Sequence, residues 1–233
     1  MARGTLHLIM GNMFSSKTTE LMNRIDVMRK YGRKEVLILK PSIDTRSGPG
    51  KIKNFHGKSM DAIEVPTDEA RHIISAVYDA STTSKKWIDV IAIDEVQFFP
   101  LKSYIYLAVD RLLNDGHDVI CAGLRLDFRG EPFGSTLALI GLCEGMHNIT
   151  LLNSFCAKCG KPAHLPQRLI DGKPAPYDSE QVQVGGKESY EARCYECHEL
   201  PEKPKIIFHE DITLELELGM QELSDARKHP EKQ

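Results

Sequence analysis

The sequence predicts an α/β fold, a mainly parallel sheet covered by helices on both faces, followed by a small β-rich module. Three observations predict it. In the front half, apolar runs without polar alternation recur between amphipathic stretches, as strands buried on both faces require. The first of these runs leads into Gly11-Asn12-Met13-Phe14-Ser15-Ser16-Lys17-Thr18, a tight loop opening a helical stretch. Beyond residue 155 the long apolar runs stop, and two Cys-x-x-Cys pairs appear among Gly, Pro and Lys.

Taken in order, Leu6–Met10 is predicted as a strand and Thr18–Tyr31 as a helix ended by Gly32. Glu35–Lys40 is the next strand, followed from Pro41 to Lys58 by a polar, Gly-rich loop containing Asp44-Thr45-Arg46. Ile63–Val65 makes a short strand, and Thr67 is placed to cap a helix over Asp68–Ala80. Trp87–Asp94 is a continuous buried strand, Lys102–Asn114 a helix closed by Gly116, and Asp118–Ala122 another buried strand. Ser135–Leu142 is expected as a short helix and Thr150–Leu152 as the last core strand. The segment from Cys156 to about Leu200 is too short for a core of its own, so a bound metal would supply the missing stability. After Pro201 come Ile206-Ile207-Phe208 and an acidic, helix-like piece near Leu214–Leu223. The expected organisation is residues 1–154 as an α/β domain carrying the loop, 155–200 as a small cysteine-bearing domain, and 201–233 as a partly helical or mobile tail.

Composition excludes several classes. With 233 residues, 41% hydrophobic and 27% charged, the chain can bury one sizeable core. A net charge of −3 gives no global attraction to nucleic acid or anionic membranes. No apolar run approaches the roughly 18 residues of a membrane span, and no signal-peptide pattern opens the chain, so a cytoplasmic location is expected. Cys121 and Cys143 stand singly in apolar surroundings as small hydrophobes. Cys156-x-x-Cys159 and Cys194-x-x-Cys197 point to a structural, tetrahedral Zn2+ rather than disulfides, with a redox-active pair as the competing reading.

The chemistry lies at the carboxyl ends of the strands, where ligands of parallel sheets bind. A tight loop running into a helix N-terminus aims backbone N–H groups at one point and holds anions there. Lys17 adds charge for the outer phosphates of a nucleotide, and the Thr18 hydroxyl is placed for a magnesium ion. This is the start of a P-loop NTPase-like architecture, with Ser16 where the usual loop has a second glycine and a side chain that crowds the approach to phosphate. Asp94-Glu95 ends a buried run beside this loop, and neighbouring residues facing opposite sides can serve two roles. Two carboxylates that merely end a strand in solvent are the alternative.

The phosphate loop, Asp94-Glu95-Val96-Gln97-Phe98, the segment Gly123-Leu124-Arg125-Leu126-Asp127-Phe128-Arg129-Gly130 and the two cysteine pairs, in this order, resemble the zinc-containing thymidine kinases, from about residue 4 to 198. That family includes the cytosolic human enzyme and many bacterial ones. The resemblance implies transfer of the γ-phosphate of ATP to the 5′-hydroxyl of thymidine, or of deoxyuridine, with Glu95 as the general base. It places Asp94 in the magnesium shell, Gln97 in the nucleotide-contacting segment, and Asp44 with Arg46 near the phosphates. Phe128 would pack on the pyrimidine ring, with Leu124 and Phe98 beside it. Gln181-Val182-Gln183-Val184-Gly185, with Tyr190, would form a lasso whose backbone reads the base edge; without the resemblance this segment is an ordinary edge strand. Pro166 stands where relatives often carry a threonine, close to the base 5-position. A homotetramer, with dTTP as feedback inhibitor and no nucleic-acid or membrane partner, is also implied. A different phosphate-loop enzyme, a nucleic-acid-binding zinc module and a relative that has lost catalysis are the competing readings.

Overall fold

A computed structural model describes residues 2–183 and 189–204. Residues Met1–Pro201 form one compact unit, and Glu202–Gln233 a second, of which only the first three residues are described. The predicted tail elements at Ile206–Phe208 and Leu214–Leu223 lie outside the described residues.

The elements follow the predicted alternation. They are β1 (Leu6–Gly11), α1 (Lys17–Lys30), β2 (Val36–Pro41), β3 (Lys51–Lys53), β4 (Ser59–Asp61), β5 (Ile63–Val65), α2 (Arg71–Ser84), β6 (Val90–Ile93), α3 (Ile105–Asn114), β7 (Asp118–Leu124) and β8 (Ile149–Leu152). Then come β9 (Ser154–Phe155), β10 (Pro162–Ala163), β11 (Leu165–Ile170), β12 (Lys173–Pro174) and β13 (Tyr190–Arg193). Six strands form a parallel sheet in the order β5-β2-β6-β7-β1-β8. Strand alternation divides its core into two layers. Leu6, Leu8 and Met10 of β1, Ile91 and Ile93 of β6, and Val119 and Cys121 of β7 pack on the α2–α3 side. Ile9, Val90, Ala92, Ile120 and Ala122 pack on the other, against Leu21, Met22 and Ile25 of α1. The register sets Gly11 beside Leu124 and Ile93 beside Cys121, so the chain leaves β1, β6 and β7 along one edge.

Beyond β8 the strands are short apart from β11, which has six residues. β9 pairs with β10, and β11 carries β12 on one side and β13 on the other, all antiparallel. Among the described residues no helix is long and apolar enough to cross a membrane.

Several local expectations change. The Pro41–Lys58 loop contains half of a hairpin, β3–β4, because Ile52 buries itself beside α1. Thr67 caps nothing: α2 starts only at Arg71, since the Ala70 N–H is drawn to the Ser103 carbonyl at 2.8 Å. Trp87 stands outside β6, 45% exposed, stacked on His117 at 4.2 Å between ring centroids. The Lys102–Asn114 helix is split by Tyr104, whose φ of 57° breaks the helical run, and Ser135–Leu142 reduces to a 3-10 turn over Ala138–Leu142. Gln181–Gln183, the described part of the supposed edge strand, is not a strand.

Candidate active site

The loop between β1 and α1 is built from inside. An ideal Cβ on Gly11 would lie 2.4 Å from Ser15 Oγ and 2.5 Å from the Leu152 carbonyl oxygen, so only glycine fits. Asn12 is buried and organises the turn: its carbonyl accepts from Ser15 Oγ and Lys17 Nζ, both at 2.8 Å, and its Oδ1 accepts the Met13 N–H at 2.7 Å. Phe14 and Ser16 both adopt left-handed backbone, with φ of 61° and 64°. Ser16 thus takes the conformation a glycine would take freely, at a strain of about 1–3 kcal/mol, and its side chain is exposed on the cavity rim. Burial lowers the Lys17 pKa, against the opposing pull of Glu95 and Asp94.

Asp94 follows β6 directly and accepts a hydrogen bond from the Thr18 hydroxyl at 3.0 Å, which pairs two hard oxygen donors suited to a divalent cation. Glu95 does not continue the strand. Its φ of 52° turns the chain, and this turn, rather than strand alternation, separates the two carboxylates. Arg46 Nη2 meets Glu95 Oε1 at 2.7 Å while its Nε donates to Asp44 at 2.6 Å, and Gln97 Nε2 donates to the other Glu95 oxygen. Burial, then the Glu95 charge, pushes the Asp94 carboxyl up to about 7. Burial also acts to raise Glu95, but the Arg46 and Lys17 charges outweigh it and hold Glu95 below the ordinary carboxylate range. Glu95 is therefore the more readily ionised of the two, while burial beside its charge disfavours the ionised form of Asp94. Glu95 in turn raises the Arg46 guanidinium further above its usual value. Lys40, fully buried, ties down the loop carrying Asp44 and Arg46 by donating to the Gly48 and Lys51 carbonyls at 3.3 and 3.1 Å.

These groups line one side of a cavity of about 450 Å³. Phe98, Leu124, Phe128, Phe133, Pro166 and Tyr190 supply an apolar wall, with Gln181 and Gln183 at its edge. The structure thus gathers Met13, Phe14, Ser16, Lys17, Thr18, Asp44, Arg46, Asp94, Glu95 and Gln97 with the aromatic residues named from sequence. Gly11, Asn12 and Ser15 support the loop from behind, and Val182 lies outside the lining, 36% exposed. Val184 and Gly185 fall outside the described residues. Gln97 is 1% exposed and spans two places: its Oε1 accepts the Leu124 N–H at 3.0 Å while its Nε2 holds Glu95.

Sequence reasoning did not find the arginines that tie down residues 177–183. Arg129 donates to the Tyr177 and Ser179 carbonyls at 2.7 and 2.5 Å, and Arg168 to the Glu180 carbonyl and to Gln183 Oε1. Both guanidinium carbons lie over the Phe128 ring, at 5.2 and 5.4 Å from its centroid. Asp127 accepts from Gln181 at 2.8 Å, and Tyr190 Oη donates to the Gln183 carbonyl at 3.0 Å. Phe133, edge-on to Phe98 at 6.0 Å, was signalled only by its closeness in sequence to Phe128. Arg168 had no local signal at all.

The sulfurs of Cys156, Cys159, Cys194 and Cys197 lie within 4.8 Å of one another, with Cys159 and Cys194 3.6 Å apart. A tetrahedral ion with Zn–S bonds of about 2.3 Å holds its sulfurs about 3.8 Å apart, so the four thiols fit zinc and are not disulfide-bonded.

Comparison with known proteins agrees with this geometry. The family model described as thymidine kinase matches residues 4–198. A thymidine kinase of Thermococcus kodakarensis is 41% identical over 200 residues, covering 86% of this chain and 96% of that protein. Among solved structures, domain III of the Thermotoga maritima replication initiation protein DnaA aligns with a TM-score of 0.36 and 14% identity, over 64% of this chain and 55% of that one; a likeness this low bears on neither fold nor function.

Proposed function

The chain belongs to the thymidine kinase family, and from that premise we propose that it transfers the γ-phosphate of ATP to the 5′-hydroxyl of thymidine, giving dTMP for deoxynucleotide salvage. The observation that carries the mechanism is the Glu95 carboxylate, whose side chain is 12% exposed. It stands ionised between the Lys17 loop and the aromatic wall, its oxygens held by Arg46 and Gln97. A nucleoside with its ring against Phe128 and its sugar toward Glu95 surrenders the 5′-hydroxyl proton to that carboxylate as the oxygen attacks phosphorus. Lys17 and the loop N–H groups hold the donor's outer phosphates, and Arg46, already within reach of Glu95, stabilises charge on the transferred group. Asp44 aims Arg46. Magnesium held by Thr18 and Asp94 would neutralise the phosphates, which explains why a carboxyl as buried as Asp94 is kept there. Leu124, Pro166 and Met13 bound the recess for the base 5-substituent, and the lasso through Gln181, Val182, Gln183, Val184 and Gly185 reads the base edge with its backbone.

Zinc held by the thiolates of Cys156, Cys159, Cys194 and Cys197 would have no position left open, which gives the metal a structural role. The segments 1–154 and 155–200 act as donor-binding and lasso-bearing parts of one catalytic unit. A homotetramer in the cytoplasm, inhibited by dTTP, belongs to the same reading. The test is Glu95→Gln, which keeps the shape but accepts no proton, and whose single amide oxygen can accept from Gln97 or from Arg46 but not from both. Thymidine phosphorylation should fall by about 10²–10⁴-fold in kcat, with MgATP binding retained. Activity within threefold of wild type would remove Glu95 from the proton-transfer role.

A further inference from the structure

The phosphate loop is attached to the cysteine module at two points. Phe14, at the crest of the loop, packs with Cys197 against the buried cluster of Cys156, Ala163, Ala192 and Cys194. Asn12, the residue that accepts Lys17 and Ser15, reaches the other way with Nδ2 to the Leu165 carbonyl at 3.0 Å, on β11. β11 pairs with β13, and β13 leads into Cys194. The loop depends on these supports because Phe14 takes a left-handed φ of 61°, a conformation that a residue with a side chain holds only where its surroundings impose it. Ala163 and Ala192 are the only buried members of that cluster that are not cysteines, so its packing rests on whatever ties the four sulfurs together.

Building on the proposed donor and zinc sites, we infer that the cysteine module positions the phosphate loop. Metal at Cys156, Cys159, Cys194 and Cys197 sets the affinity for the donor phosphates, with Phe14 and Asn12 as the positioning residues. The metal's reach is thus wider than the lasso, where sequence alone would confine it. Phe14 makes the larger contribution because it packs on the buried cluster that contains Cys156 and Cys194; Asn12 reaches only β11, the strand paired with β13.

The experiment is calorimetric titration with MgATP and no nucleoside present, so that lasso closure does not enter. Zinc is released with a mercurial thiol reagent, the reagent is reversed with excess dithiol, and the metal is removed by gel filtration before magnesium is added. Circular dichroism checks that the sheet persists. Wild type should lose about tenfold in MgATP affinity with its zinc, within the usual range of coupling between sites. Zinc-loaded Phe14→Ala should show a similar loss, and stripping its zinc should weaken it by less than about twofold more, because the coupling already runs through the missing ring. Asn12→Ala, which cuts the tether to Leu165, should weaken MgATP while leaving zinc stoichiometry at one. Metal-free wild type binding MgATP as tightly as the zinc-loaded protein overturns the inference. So does a zinc dependence undiminished in Phe14→Ala. Absence of MgATP binding to zinc-loaded wild type is a separate failure, that of the kinase reading.

Discussion

The two walls of the cavity are held by different physics. The phosphate loop, Asp94 and Glu95 hang from the ends of β1 and β6, whose core residues Leu8, Ile9, Ile91 and Ile93 are fully buried between two layers. That support tolerates strain, and three non-glycine residues there, Phe14, Ser16 and Glu95, have positive φ. The opposite wall, from Pro166 through Gln183 to Tyr190, rests on short strands, two arginines and four thiols. Buried area makes the strands beneath the first wall insensitive to any single contact, while the phosphate loop at their tip leans on Phe14 and Asn12. The second wall has few contacts, each directional, so each matters more.

The largest effect expected from this contrast is loss of the metal site. Cys194→Ser should reduce thymidine affinity by about 100-fold or more while the thermal transition of the sheet persists, since metal binding and local folding are one equilibrium. Calorimetry with thymidine and limited proteolysis between residues 156 and 200 would report it. Simultaneous collapse of the sheet would show that the walls are one cooperative unit and break the comparison.

Next in size is Arg168→Met, which keeps the apolar stem but frees the Glu180 carbonyl and Gln183. Losing charge-assisted bonds from a side chain 7% exposed should cost about 2 kcal/mol, or roughly 30-fold in KM for thymidine, with KM for ATP little changed. Equal changes in both KM values would place Arg168 in the rigid wall.

A smaller effect is read in pH. Asp94 has its carboxyl raised to about 7 in the fold from an ordinary 3.8, so the folded protein binds more protons than the unfolded chain between those values. Its contribution to stability is therefore favourable at acid pH and is lost as pH rises from about 4 to about 7. Glu95 runs the other way: its folded pKa is lowered, and its stabilisation is present above the unfolded pKa and lost as pH falls through the lowered one. Without magnesium, Asp94→Asn should raise Tm at pH 8 by a few degrees and flatten its decline across that window. A decline as steep in the variant would assign it to other groups.

The smallest effect belongs to Pro166→Thr, at the recess shared with Met13 and Leu124. A methyl-sized change in an apolar pocket is worth about 1–3 kcal/mol at most, so the thymidine-to-deoxyuridine ratio of kcat/KM should move by less than about tenfold. A larger change would mean that residue 166 also orders the lasso.

Much of the first wall could be read from the chain. Runs such as Val90-Ile91-Ala92-Ile93 locate strands because burial on both faces leaves no polar position. The phosphate loop and cysteine pairs could be read because their chemistry needs fixed local spacings. The second wall could not. Arg129 and Arg168 look like surface residues until residues 177–183 fold over them, and the hydrogen bond from the Leu124 N–H to Gln97 Oε1 has no local signal. Thr67 failed as a cap for the same reason, a distant carbonyl at Ser103 having taken the Ala70 N–H.

By itself the sequence determined a parallel sheet with a phosphate loop and two carboxylates at its edge, and a pair of cysteine knuckles able to share an ion. Periodicity and short spacing encode such features locally. Tertiary structure alone decided that Glu95 is the more readily ionised of the two carboxyls, and that Phe14 packs on the cluster containing Cys156 and Cys194. Ionisation depends on through-space distances from Arg46 and Lys17 and on exclusion of water, and packing on which strands come together, and no local pattern in the chain records either.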